Sequence, residues 1–175
     1  MPLLVRRLEK DDLVSQFDCG DAALDDYLRR FAWQNQQRHS VGVTYVAAEM
    51  EVPRAVIGYH TLASSSIPKS SFPGDAGHRL SPYHDVPVVL LARLAVDQRF
   101  QQRGVGRMLL RHALELSLAV REQVGCRCVI VDAYPSAVLW YRRFGFVPIG
   151  GAPAGAPTQK MFLDLRTVEA ALLRE

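Results

Sequence analysis

The amino-acid sequence predicts an α/β fold in which a mixed central sheet of about six to seven strands is flanked by helices. Apolar runs of strand length, such as residues 88–96 and 128–133, alternate along the chain with an amphipathic segment of helical period at 105–124. The 175 residues suit one domain with a single core, and the hydrophobic content of 49% is ordinary for a globular protein. We therefore expect residues 1–175 to form one domain.

The first part of the chain predicts a strand, a helix and a hairpin. Residues 3–8 read as the first strand, and residues 11–17 as a short helical or turn segment. Asp21 is placed to cap a helix, because the apolar residues that follow it recur every three or four positions. Residues 44–49 and 55–62 are short apolar runs around a turn, and they predict an antiparallel hairpin.

The second part continues with the longest elements. Residues 64–85 are rich in Ser, Pro and Gly and predict a long loop, which in compact domains is usually functional or mobile. A buried strand at 88–96 and the main helix at 105–124 follow it. The remaining predicted segments are a strand at 128–133, a helix at 135–144 closed by Gly145, a strand at 146–149, a loop at 150–157, a strand at 160–165 and a helical tail.

Several classes of protein are disfavoured by composition. No apolar run reaches the roughly 18 residues of a membrane span, and the apolar stretch near the N-terminus is too short for a signal peptide. We therefore expect a cytoplasmic protein without membrane contact. The three cysteines form no Cys-x-x-Cys pair and the five histidines show no ligand spacing, so we expect neither a metal site nor a disulfide framework.

The net charge and the arginine content do not identify the class of binding partner. The net charge of +3 is modest for a nucleic-acid binder, yet of 21 basic residues only Lys10, Lys69 and Lys160 are lysines. Arginine suits bidentate contacts with phosphate. A GC-rich genome also supplies arginine without selection for binding. Composition alone therefore does not distinguish a phosphate-binding protein from one whose genome favours arginine.

The segment between the buried strand and the main helix carries the strongest signal for a ligand. Residues 101–106 have the pattern Gln-x-x-Gly-x-Gly, in which glycines let the backbone approach a ligand closely. The free N–H groups and dipole of the helix that follows favour phosphate. Two other phosphate loops are excluded, because Leu109 stands where a dinucleotide fingerprint needs a third glycine and the Gly-Lys-Ser/Thr ending of a Walker loop is absent.

This loop resembles the acetyl-CoA pyrophosphate loop of the GCN5-related N-acetyltransferases, the GNAT superfamily. The predicted order of elements is also that of a GNAT domain. The resemblance implies acetyl-CoA as cofactor, held by the loop and by a central strand that splays from its neighbour to pair with the pantetheine arm. The implied cofactor-binding residues are Leu94, Ala95 and Val96 on the strand, and Gln101, Gln102, Arg103, Gly104, Val105, Gly106 and Arg107 at the loop and helix start.

A second motif supplies a candidate catalytic residue. Residues 137–146 resemble the helix of the GNAT family in which an aromatic-Tyr pair precedes a Gly-Phe strand start, and Tyr141 falls on the position of the general acid. A phenol with an ordinary pKa of about 10 can hydrogen-bond or protonate the departing CoA thiolate. The alternative is that Tyr141 is a core aromatic residue with a satisfied hydroxyl.

The central strand also bears on the acceptor. It contains no Asp or Glu, where many lysine-modifying GNAT enzymes keep a general base, and its only charged residue is Arg93. A lysine amine, with a pKa of about 10.4, must lose a proton before it attacks, whereas an α-amine with a pKa of about 7.7–8.0 is largely neutral. The strand therefore favours an α-amine, although a water chain to a remote base would also serve a lysine.

Five short motifs narrow the resemblance to the GNAT toxins of bacterial type II toxin–antitoxin systems. They lie at residues 17–20, 24–28, 44–46, 58–62 and 91–97. The resemblance implies aminoacyl-tRNA as the acceptor, a block of translation, and a ribbon-helix-helix antitoxin as partner. It places Arg93 near the acceptor site. Candidates for contact with tRNA phosphates are Arg79, Arg142 and Arg143, together with Arg29, Arg30 and Arg38.

Two other functions remain open. One is a GNAT enzyme that acetylates a small amine or a protein N-terminus. The other is a non-catalytic module that binds acyl-CoA or a partner protein, which the presence of both Tyr141 and the glycine loop disfavours. The sequence also leaves open a homodimer.

Overall fold

The computed structural model describes residues 2–72, 85–151 and 154–172. Its strands are β1 Leu3–Arg7, β2 Val43–Glu49, β3 Gly58–Ile67, β4 Val86–Val96, β5 Cys128–Ala133, β6 Val147–Pro148 and β7 Gln159–Asp164. Its α-helices are α1 Ala22–Asp26, α2 Ala32–Gln34, α3 Val105–Gln123, α4 Val138–Arg142 and α5 Leu165–Leu172. The strands form one mixed sheet in the order β1-β2-β3-β4-β5-β7-β6. This architecture confirms the predicted fold class.

Two compact units can be distinguished along the chain. The first comprises Met1–Ala63 and Leu91–Ala113, and the second comprises Ser64–Leu90 and Leu114–Glu175. In the first unit β1, β2 and the start of β3 pair antiparallel, with Val5 opposite Ala47 and Tyr45 opposite His60. The predicted hairpin is therefore present.

The helical segment at residues 22–39 begins where the sequence predicts. The Asp21 carboxylate accepts hydrogen bonds from the backbone N–H groups of Ala23 and Leu24, at 2.9 and 3.1 Å, which satisfies donors that an uncapped helix would leave free. The segment is not a uniform α-helix, because π-helical turns occupy Tyr27–Phe31 and Asn35–His39. π-Helical turns are rare in proteins, and those that do occur are often found at functional sites.

Two apolar clusters fill the first unit. One lies between the helical segment and the sheet and includes Phe17, Tyr27, Tyr59 and Ala95. The other packs α3 against Ala47 and Ile57 through Val105 and Leu109. Gly58 permits this close packing, since a Cβ there would lie 3.0 Å from Leu109 Cδ1 and 3.2 Å from both Val105 Cγ1 and the Ala95 carbonyl oxygen.

A histidine pair, with His60 buried and His112 partly buried, lies in the same unit. His60 Nε2 lies 2.9 Å from His112 Nδ1, and Tyr45 packs against both rings. Burial, and secondarily the neighbouring His112, lowers the pKa of His60 to about 3. The structure therefore keeps His60 neutral at physiological pH.

Acid is expected to destabilise the protein through His60. In the unfolded chain a histidine has a pKa of about 6.5, so between that pH and about 3 the unfolded state binds a proton that the folded state does not. The free energy of unfolding should fall as pH decreases through this window, by up to about 1.4 kcal/mol per pH unit. Urea unfolding at several pH values checks this, and His60→Asn should weaken the dependence. An unchanged dependence in the variant would contradict the assignment.

The second unit is built around β5. β4 pairs parallel with β5 at two positions, Val89 opposite Val129 and Leu90 opposite Ile130. β7 pairs antiparallel with β5 on its other side, and the short β6 pairs with β7. The core of this unit is formed by Ile67, Phe72, Val86, Val88, Cys128, Ile130, Ile149 and Phe162.

The structure corrects three predicted boundaries. Residues 64–67, predicted as loop, belong to β3, where Ser64 and Ser66 are exposed and Ile67 is buried. The serine-rich composition predicted a loop, although the side chains alternate between exposed and more buried positions as in a strand. The strand predicted at 146–149 shortens to Val147–Pro148, and the strand predicted from residue 55 begins at Gly58. Residues 11–17 form turns and a bridge from Leu13 to Ala55, which agrees with the turn that the sequence offered as an alternative to a short helix. Residues 73–84 of the predicted loop lie outside the described residues.

Among the residues that the structure describes, no helix combines the length and hydropathy that a membrane crossing needs.

Candidate active site

The loop between β4 and α3 has a backbone suited to an anion. Gln102 and Gly104 both adopt the left-handed region, with φ of 60° and 83°. No described atom lies within 4 Å of where a Cβ on Gly104 would stand, so the space beside the loop is open. α3 has no acidic residue in its first turn. Left-handed turns and a helix N-terminus both aim backbone N–H groups outwards, so the loop fits a pyrophosphate.

The side chains of the loop have different surroundings. The Gln101 amide donates to the carbonyl oxygens of Cys19 and Val96, at 3.1 and 3.0 Å, so this side chain anchors the loop. Val105 is buried under the sheet and offers a ligand only its backbone. Arg103 is exposed with its guanidinium over the Phe100 ring, 5.6 Å from the centroid. The loop therefore presents mainly backbone and arginine to a ligand.

The other predicted cofactor residues also present backbone. Ala95 is buried in the cluster with Tyr27, while Leu94 and Val96 are partly buried and pack towards the α3 cluster. Gln102 and Arg107 are exposed and Gly106 lies inside α3. Because the three strand residues are apolar, any hydrogen bond from them to a pantetheine arm would come from the main chain.

Arg93 is held flat on an aromatic ring. Its Cζ atom lies 3.6 Å from the centroid of the Tyr27 ring, a close cation–π contact. Tyr27 itself is buried beside Tyr59, whose hydroxyl donates to the Leu24 carbonyl oxygen at 2.8 Å. Within the described ranges, the structure shows no ion pair or hydrogen bond from Arg93. Arg93 is partly exposed, and no sequence motif indicated that Tyr27 supports it.

Tyr141 lies in the second unit, on α4. Its ring packs edge-on against Trp140 and Phe146, with centroids 5.0 and 5.3 Å away, and 6% of the residue is exposed. Gly145, with φ of 87°, makes the turn that brings Phe146 back onto the ring. Burial raises the pKa of Tyr141 above its ordinary value, so the phenol keeps its proton at neutral pH. The described residues supply no hydrogen-bond partner for its hydroxyl.

The remaining predicted substrate residues are arginines. Arg142 and Arg143 are exposed next to Tyr141, and no ion pair with a described residue neutralises them. Arg79 lies outside the described residues. Sequence reasoning missed one group, the buried Asp97 carboxylate with its partners Asp18 and Arg99. The Asp-x-Arg spacing of Asp97 and Arg99 was a signal for such a group.

Comparison with known proteins identifies the family. Residues 42–148 match the model of the acetyltransferase (GNAT) domain. Over 142 residues the chain is 36% identical to a tRNA-acetylating toxin of Mycobacterium tuberculosis, covering 81% of this chain and 82% of the relative.

Two solved structures are similar over nearly their whole length. AtaT complexed with acetyl-methionyl-tRNAfMet has a TM-score of 0.87 at 26% identity, covering 98% of this chain and 99% of that one. A mutant AtaT toxin bound to the C-terminus of the antitoxin AtaR and acetyl-CoA has a TM-score of 0.79 at 25% identity, covering 97% and 98%. The predicted resemblance is thus confirmed: the chain belongs to the GNAT family and is an acetyl-CoA-dependent N-acetyltransferase.

Proposed function

We propose that the chain acetylates the α-amino group of aminoacyl-tRNA and so blocks translation, as the toxin of a type II toxin–antitoxin pair. The observation that carries this proposal is the 36% identity, over four-fifths of both chains, to a tRNA-acetylating toxin. The likeness to AtaT with acetyl-methionyl-tRNAfMet supports the same acceptor. In this proposal residues 1–175 act as one domain in the cytoplasm, where charged tRNA is found, with an antitoxin as partner.

The chemistry of the residues is consistent with an α-amine acceptor. Acetyl-CoA supplies an acetyl group activated as a thioester, and its sulfur must leave as a thiol or thiolate. β4 carries no carboxylate that could deprotonate a lysine, whereas an α-amine is largely neutral without one. In our proposal the hydroxyl of Tyr141 holds the proton that the leaving sulfur needs, and burial keeps that proton in place at neutral pH by raising the pKa of the phenol.

The cofactor is proposed to lie along β4 and the loop. Backbone groups of Leu94, Ala95 and Val96 would hold the pantetheine arm. The pyrophosphate would lie against the N–H groups at 102–106, where Gln102 and Gly104 are left-handed and the space beside Gly104 is open. Arg103 and Arg107, both exposed, would neutralise its charge.

Arg93 is proposed to bind the acceptor. Stacking on Tyr27 fixes the plane of its guanidinium and leaves the N–H edge available for an oxygen atom. The phosphate that joins the terminal nucleotides of a charged tRNA offers a pair of such oxygens to the planar guanidinium fork. Arg79, Arg142 and Arg143 are proposed to contact phosphates farther along the tRNA.

Arg93→Ala is expected to weaken binding of the acceptor without weakening binding of acetyl-CoA. Losing one charge-assisted hydrogen bond, about 1.5–3 kcal/mol, should raise the KM for charged tRNA about tenfold or more and leave acetyl-CoA affinity unchanged. The salt dependence of tRNA binding should lose about one unit of slope if the contact is to phosphate. Arg54→Ala is the control, because Arg54 is an exposed arginine of the same unit that is not among the candidates for tRNA contact, and its carboxylate partner, Glu9, lies 2.6 Å away. Equal effects of the two variants would contradict the proposed contact.

A cell-free translation system tests the proposed function. The protein should halt synthesis only when acetyl-CoA is present, and added aminoacyl-tRNA should restore synthesis. Radiolabelled acetyl should appear on charged tRNA and not on deacylated tRNA. If polyamines, aminoglycosides or peptides accept acetyl while charged tRNA does not, the small-amine enzyme replaces this proposal. If acetyl-CoA binds and nothing accepts acetyl, the non-catalytic module replaces it.

A further inference from the structure

Two segments that are far apart in the sequence are joined beside the cofactor loop. The first is residues 16–20, which precede α1, and the second is residues 97–101, which lead from β4 into the loop. Gln98 donates twice to Asp18, from its backbone N–H to the carbonyl oxygen at 2.8 Å and from its side chain to Oδ1 at 2.9 Å. Gln101 donates to the Cys19 carbonyl oxygen at 3.1 Å. The contact is thus made at both ends of the second segment.

Asp97 is the centre of this junction. Its carboxylate is buried, with 1% of the residue exposed, and accepts from the Asp18 backbone N–H at 3.2 Å. It also accepts from Arg99 three times, from the backbone N–H at 3.0 Å and from Nε and Nη2 at 2.9 and 2.8 Å. Arg99 in turn donates to the Gln16 carbonyl oxygen at 3.3 Å. A buried carboxylate satisfied in this way is costly to disturb, because its partners would be left without an acceptor.

The junction ends where the backbone becomes strained. Gln101 is anchored by two hydrogen bonds, to Cys19 and Val96, and the next residue, Gln102, has φ of 60°. A left-handed residue other than glycine costs about 1 kcal/mol or more and persists only when its surroundings hold it. The anchor on Gln101 therefore supports the conformation that turns N–H groups towards the open side of the loop.

We infer that residues 16–20 are part of the machinery that binds acetyl-CoA, and that Asp97 and Gln101 are positioning residues that hold the cofactor loop in its binding conformation. Neither side chain needs to touch the cofactor. Their effect on affinity comes from the backbone of the loop, which would otherwise relax from the left-handed turn.

The same segment also continues into the acceptor side of the first unit. The Cys19 backbone N–H donates to the buried Asp25 carboxylate at 2.9 Å, and Asp21 caps α1. The helical segment that α1 begins carries Tyr27, on which Arg93 lies. Residues 16–20 thus connect the loop by hydrogen bonds to α1, and the chain continues from α1 to Tyr27, on which Arg93 lies.

Asp97→Asn tests the inference, since it keeps the size of the side chain and removes its charge. The Kd and KM of acetyl-CoA should rise about tenfold, while kcat at saturating acetyl-CoA changes less than about threefold. Backbone amides at 101–104 should exchange hydrogen faster in the variant. A purely structural role would lower stability and leave the ratio of KM to kcat unchanged.

Asp164→Asn is the matched control. Asp164 accepts from the backbone N–H, Nε and Nη2 of Arg166, at 2.9, 3.3 and 3.0 Å, which is the same Asp-x-Arg arrangement in the second unit. The Asp164→Asn variant should bind acetyl-CoA as tightly as the wild type. Gln101→Met is a second test in case Asp97→Asn fails to fold, because Gln101 is exposed and the change removes only its anchoring amide. This variant should bind acetyl-CoA several-fold more weakly than the wild type. Acetyl-CoA affinity within twofold of wild type in Gln101→Met, or an equal loss in Asp164→Asn, would overturn the inference whichever acceptor the enzyme uses.

Discussion

Replacing Tyr141 by Phe is expected to lower turnover by about 10²–10⁴-fold, the usual contribution of a general acid, with little change in stability or acetyl-CoA affinity. The ring contacts with Trp140 and Phe146 remain in the variant, and only a hydroxyl without a partner among the described residues is lost. Steady-state kinetics with saturating acetyl-CoA, together with thermal unfolding, measures both quantities. The same variant should relieve the block of translation that we propose for the wild-type protein.

Tyr45→Phe is the control for this result. Tyr45 also packs its ring against neighbours, His60 and His112, and the described residues give its hydroxyl no hydrogen bond. Removing that hydroxyl should change turnover less than about threefold, because nothing places it in proton transfer. A loss of under about threefold in Tyr141→Phe itself would instead assign Tyr141 to packing alone.

Replacing Gly104 by Glu should reduce acetyl-CoA affinity well over tenfold. The new carboxylate would stand in the open space beside the loop, where it would repel a pyrophosphate and occupy its approach. The left-handed φ of 83° adds strain of about 1–2 kcal/mol for any residue other than glycine. Calorimetric titration with acetyl-CoA measures the loss.

Gly125→Glu separates strain from ligand repulsion. Gly125 has φ of 97° and, like Gly104, no described atom within 4 Å of where its Cβ would stand, but it follows the far end of α3. The variant should lose comparable stability and keep its affinity for acetyl-CoA. Unchanged binding by Gly104→Glu would reject the loop as the pyrophosphate site.

Local periodicity was enough to predict most of the fold. β5 begins and ends at the predicted residues, and α3 differs from its prediction by one residue, because long apolar patterns with clear caps leave little choice. The positions of Tyr141 and Gly104 were likewise predicted from short motifs. Each of these features depends on residues that are close together in the chain.

Contacts between distant residues were not predictable in the same way. Asp97 and Asp18 are 79 positions apart, and nothing local shows that one side chain accepts from the other's backbone. The role of the Gln101 side chain was concealed by its motif, which favours a ligand contact over the anchor that the structure shows. Arg93 was predicted to lie near the acceptor site, but its stacking on Tyr27 joins two residues that are distant in the sequence.

The packing at Gly58 gives this enzyme an unusual genetic sensitivity. A single added methyl group at this position would press on Val105, the first residue of α3, and on the carbonyl oxygen of Ala95 in the strand beside it. Both residues belong to the proposed cofactor-binding backbone, although Gly58 itself is buried and lies on another strand. In the proposed toxin role, cells that survive expression of this protein would carry mutations that inactivate it. Among them we expect the mildest of changes, glycine to alanine at a position that never meets a substrate.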